Sequence, residues 1–135
     1  MLRGAVYSFA LLSALMSAAV AADSAVRVEL NTAETAQKRC RLTFVIENKS
    51  AAVESFKLDM VVFDREGVVH HRMVTEMGPV RANKTIVRTF SLEGECTKVG
   101  SVLVNDVSGC TPGTPDGCLE GLTLASRVKD VRLYK

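Results

Sequence analysis

Phe56-Lys57-Leu58-Asp59-Met60-Val61-Val62-Phe63-Asp64-Arg65-Glu66-Gly67 decides the fold class. Phe56, Leu58, Met60 and Val62 fall on one face of an extended chain. Val61 and Phe63 add apolar character to the other, as expected of a central strand. Asp64 to Gly67 is polar and ends in Gly, the signature of a short hairpin loop. Val68 to Val74 then reads as the returning partner strand.

The same period of two continues in both directions. Upstream, Cys40, Leu42, Phe44 and Ile46 share one face, and Asn48-Lys49-Ser50 breaks the strand. Before it, Ala25 to Leu30 alternates, with Val26, Val28 and Leu30 in phase. The segment Thr32 to Lys38 is short and unpatterned, with room for a helical turn. Downstream, Gly78-Pro79 and Ala82-Asn83-Lys84 are breaks. Thr85 to Leu92 is strand-like, with Ile86, Phe90 and Leu92 in phase. Arg88 falls in that phase too, so either its head snorkels at an edge or the register shifts there. Val99 to Val104 reads as a central strand, Gly109 to Gly121 as a loop, and Val128 to Tyr134 as a last strand. The pattern predicts an all-β, immunoglobulin-like antiparallel β-sandwich of about seven strands.

The first 22 residues predict a signal peptide. Arg3 supplies the positive end, Ala5 to Met16 the apolar stretch, and Ala19-Val20-Ala21 a small-residue cleavage motif. A single Arg, not a pair, favours the general secretory route over the twin-arginine one. Cleavage is expected after Ala21 or Ala22; cut after Ala22, residues 23–135 remain as one domain, periplasmic or secreted, with no stable membrane anchor. The chain has 135 residues, 17 basic against 15 acidic side chains and a net charge of +2. A balance so close to neutral carries no nucleic-acid footprint.

All four cysteines, Cys40, Cys96, Cys110 and Cys118, lie beyond the leader. An even count in a small exported domain predicts disulfides, and four sulfurs allow three pairings. The turn-rich Thr111-Pro112-Gly113-Thr114-Pro115-Asp116-Gly117 favours Cys110–Cys118, which leaves Cys40 with Cys96. A metal or redox role is the rival, but no C-x-x-C occurs and neither His is near a Cys in sequence.

Three stretches carry a family resemblance: Val45-Ile46-Glu47-Asn48-Lys49-Ser50, the hairpin Phe56 to Gly67, and Gly78-Pro79-Val80-Arg81-Ala82-Asn83-Lys84-Thr85. They resemble the FxLyD-type immunoglobulin-like domains. With the four cysteines and Val102-Leu103-Val104-Asn105-Asp106-Val107, they are also similar to a group of small exported proteins of Gram-negative bacteria. That group bears the label "Tat pathway signal sequence domain protein". The resemblance implies a periplasmic sandwich and supplies no catalytic residues.

Function is read from what remains. His71, Met73, Thr75 and Met77 share one face of an extended strand, with His70 opposite. His71, Met73 and Met77 are an imidazole–thioether set suited to copper; the plainer reading is that Met73 and Met77 fill the core. A hydrolase needs a nucleophile, a base and an orienting acid together, and neither G-x-S-x-G nor a phosphate-cradling Gly-rich loop occurs. The expectation is therefore a binding module, not an enzyme, with no cofactor and with another envelope protein as partner. Asn105 to Gly121, held by Cys110–Cys118, is the expected contact loop, through Asn105, Asp106, Thr111, Pro112, Pro115 and Asp116. An inhibitor presenting that bridged loop to a protease is a further alternative.

Overall fold

The structure is a computed structural model that describes residues 25–135, so the expected leader lies outside the described residues. Among the described residues eight strands form: β1 (Val26–Ala36), β2 (Arg39–Asn48), β3 (Ser55–Phe63), β4 (Val69–Glu76), β5 (Lys84–Glu93), β6 (Ser101–Thr111), β7 (Thr123–Ser126) and β8 (Arg132–Tyr134). One short helix, α1 (Pro115–Gly121), follows β6, and a single 3-10 turn spans Cys96–Lys98. The first sheet has the order β5-β2-β1-β7 and the second β4-β3-β6-β8.

This is the β-sandwich that the alternation predicts. Val26, Val28 and Leu30, with Cys40, Leu42, Phe44 and Ile46, point inward from the first sheet, and Phe56, Leu58, Met60 and Val62 from the second. Burying each large side chain here is worth about 1.5–3 kcal/mol. Val53 and Val80, 2% and 1% exposed, pair across the two crossover loops and close one end of the core. Beside them Asn48, 1% exposed, does more than break a strand. Its Nδ2 donates to the carbonyls of Ala51, Val80 and Arg81, and its Oδ1 accepts from the Ser50 N–H and hydroxyl.

Several elements differ from the sequence reading. β1 continues through Thr32 to Ala36, where a helical turn had room to form; a bulge at Asn31 shifts its phase, and Ala33 and Thr35 then pair with Leu42 and Cys40. β6 runs on to Thr111, so Asn105 to Thr111 is strand rather than loop. Two bulges against β3 take its inward positions from Val102 and Val104 to Val107 and then Cys110, which hides the alternation. Pro115 to Gly121 is helix. β7 is an eighth, unexpected strand, and only Arg132–Tyr134 of the expected last strand pairs. The sandwich is also not wholly antiparallel: β7 pairs parallel with β1, and β8 parallel with β6. Arg88 snorkels, its Nη2 donating to the Gly78 carbonyl at 3.1 Å.

Both disulfides form, Cys40–Cys96 and Cys110–Cys118, and none of the four sulfurs is free. A small domain with two structural disulfides fits a protein folded outside the reducing cytosol. Among the described residues, no helix is long and apolar enough to cross a membrane.

Candidate partner-binding site

The second disulfide ties α1 to β6. Thr114 starts α1: its Oγ1 accepts from the Gly117 N–H at 3.1 Å, and Pro115 sits in the first turn. Cys118, fully buried, turns inward to Cys110 on β6 and so clamps the helix to the sheet. At the other end of α1, Lys135 donates through Nζ to the carbonyls of Leu119 at 2.7 Å and Leu122 at 2.6 Å. A cation there satisfies acceptors that a short helix leaves open.

Between α1, β6 and the Lys135 side chain lies an open depression of about 380 Å³, lined by Val104, Asn105, Asp116, Leu119, Glu120 and Lys135. Val104 and Leu119 are its apolar floor. Asp116 and Glu120, four residues apart on α1, form one rim and Lys135 the other. Asn105 is held in place: its Nδ2 donates to Asp59 Oδ2 at 3.1 Å. Asp59 also receives Arg72, through Nη2 at 2.7 Å and Nε at 3.2 Å. The hydrogen bonds from Arg72 and then Asn105, with the charge of Arg72, outweigh burial and hold the Asp59 carboxyl below its usual range.

Of the six residues expected at the contact, Asn105 and Asp116 line this depression. Thr111 at the end of β6, Pro112 on the connection and Pro115 at the start of α1 are exposed but do not line it. Asp106 does not line it; its Oδ1 accepts from the Val107 N–H at 2.8 Å. Sequence reasoning missed Val104, Leu119, Glu120 and Lys135. The signal for the α1 pair was Thr114-Pro115, a cap followed by a first-turn proline.

The histidine–methionine strand is arranged differently. His71 is exposed, Met73 is half-buried against the core, and Met77 is fully buried within it, closed to an incoming ion. His70 occupies a bulge and lies beside Gly94, in the connection that follows β5. Among the described residues, no group of three or more His, Cys, Asp or Glu stands close enough to hold a metal ion. The chain matches no family model, no curated protein and no solved structure.

Proposed function

We propose that the chain is an exported, periplasmic binding module that takes another envelope protein on the face formed by α1, β6 and Lys135. The observation that carries this reading is the Cys110–Cys118 bond, which fixes α1 against β6 and so holds the half-buried Leu119 beside the buried Val104 between charged rims. A surface held rigid before binding loses less entropy when a partner docks. Its apolar floor and mixed charge suit a protein rather than a nucleic acid. The leader-like first 22 residues and the resemblance to small exported proteins support the compartment.

The test is site-specific photocrosslinking in the exporting cell, with the probe at Asp116 or Glu120 and, as a control, at Val87 on the far sheet. The expected result is one product shared by the two α1 positions, absent at Val87, and lost when Cys110 and Cys118 are both changed to Ser. No product at either α1 position, or a product indifferent to loss of the disulfide, overturns the reading.

A further inference from the structure

Each sheet has two open edges, and they differ. β7 and β8 are only four and three residues long. β5 is long, but its oppositely charged ends, Lys84 and Glu93, fall on opposite faces. No two-fold pairing of β5 with itself can therefore set them opposite one another. β4 is eight residues long and five of them are exposed, with Val69 60% and Val74 61% open to solvent.

The main-chain groups of β4 are sorted by its partner. Met77 N–H donates to the Phe56 carbonyl at 2.8 Å, and Lys57 lies opposite Glu76 and Leu58 opposite Thr75. This register turns the N–H and C=O groups of Met73, Thr75 and Met77 toward β3. Those of Arg72, Val74 and Glu76 face the free edge. These three side chains also share the outer face of the sheet.

We propose that β4 pairs antiparallel with β4 of a second copy of this chain, about a two-fold axis through Val74. In this register Val74 faces Val74, and Arg72 of each copy faces Glu76 of the other. Every residue whose main-chain groups point outward meets another of the same kind, and two opposite-charge pairs flank a central apolar one. Moving the axis to Met73 or Thr75 sets neither Arg72 opposite Glu76 nor Val74 opposite itself, so charge selects the Val74 register.

Both charged groups have capacity left for the contact. Arg72 uses Nε and Nη2 on Asp59 and is 65% exposed, so it keeps further N–H donors. Glu76 Oε1 accepts from the Phe56 and Gly78 N–H groups, and Oε2 accepts only from Ser55, which leaves Oε2 a lone pair. The product is a continuous eight-stranded sheet, with both β4 edges closed.

Sedimentation velocity over a wide concentration range tests the proposal. The wild-type chain is expected to self-associate. Val74→Lys, which puts two cations on the axis, should raise the dimer Kd at least about tenfold. Its unchanged circular dichroism and melting would show that the fold is intact. Air oxidation of Val74→Cys should give a covalent dimer, whereas Val87→Cys on the comparably exposed β5 should not. A wild-type chain that stays monomeric up to about a millimolar overturns the proposal. So does a dimer indifferent to Val74→Lys, or one trapped through Val87 and not Val74.

Discussion

Glu29 and Arg127 stand 98 residues apart in the chain and 2.9 Å apart between Oε1 and Nε. Glu29 is 5% exposed on the outer face of β1 and also receives Arg27 Nη2 at 2.9 Å and Asn31 Nδ2 at 3.0 Å. Arg127 in turn donates its main-chain N–H to the Leu30 carbonyl at 2.8 Å. One carboxylate thus fastens the segment after β7 to the first strand. Glu29→Ala should loosen that segment first. Amide protection across β7 is expected to fall roughly tenfold while that of β3 is unchanged.

Acid should act through the same carboxylate and two others. Hydrogen bonds from Asn31 and Arg27 hold Glu29 below its ordinary value of 4.5. Arg72 and Asn105 lower Asp59 from 3.8. Burial works against Glu76, but the Phe56 N–H, the Ser55 hydroxyl and the Gly78 N–H, with Lys57 nearby, outweigh it and lower it as well. A carboxyl with a depressed folded pKa binds fewer protons folded than unfolded. Its contribution is therefore complete above the unfolded value and lost as pH falls through the folded one. The urea midpoint should stay flat with respect to these groups near neutrality and fall below about pH 4.5. Glu29→Gln should flatten part of that fall.

The strands without a bulge of their own were legible in the sequence, and the reason is periodicity. β2, β3 and β5 keep their phase from end to end, so Cys40, Phe56 and Ile86 announce their faces. The reading stopped at Leu30 and at Val104 because bulges follow directly after each. After a bulge the apolar set changes parity, and a period-two template sees noise. Four of the six residues that line the depression escaped the reading. Asn105 and Asp116 were reached through the bridged segment, whereas Leu119 and Glu120 needed a helix face that a loop does not have. Lys135 could not be placed, because its contact with Leu119 and Leu122 is made by tertiary folding alone.

Gly100 sits where the chain has no room. A Cβ there would fall on the Asp64 carbonyl, and the Arg65 Cα would be 3.1 Å away, both of them main chain and unable to swing aside. The Gly100 N–H meanwhile donates to the Phe63 carbonyl at 2.8 Å, which fixes the approach. Gly100→Ala should destabilise the fold by about 2–4 kcal/mol. At Gly109 the nearest atom to an added Cβ is the Lys57 Cδ at 3.4 Å, a flexible side chain. Gly109→Ala should stay within about 0.5 kcal/mol of the wild type by urea denaturation.

Thr75 is 3% exposed on β4, and among the described residues nothing hydrogen-bonds its Oγ1. A buried hydroxyl without a partner costs about 1–3 kcal/mol, and valine has nearly its shape. Thr75→Val should therefore raise stability by about 1 kcal/mol, read as a higher urea midpoint with an unchanged slope. A loss of stability would mean that the hydroxyl has a partner in solution.

The two disulfides should fail differently. Cys40–Cys96 closes a sequence separation of 56 residues and joins β2 to the turn before β6. Cys110–Cys118 closes a separation of only 8. Chain entropy alone makes the first worth about 4 kcal/mol and the second about 2.6 kcal/mol. Replacing Cys40 and Cys96 by Ala should thus lower global stability the more. Replacing Cys110 and Cys118 should act locally, because α1 packs chiefly against β6 rather than against β1, β2 or β3. Hydrogen exchange would show α1 released, while β2 and β3 remain the last to open. If α1 instead keeps its protection in that variant, Lys135 and the packing of Leu119 are enough to hold it, and the bridge is not what shapes the depression beside it.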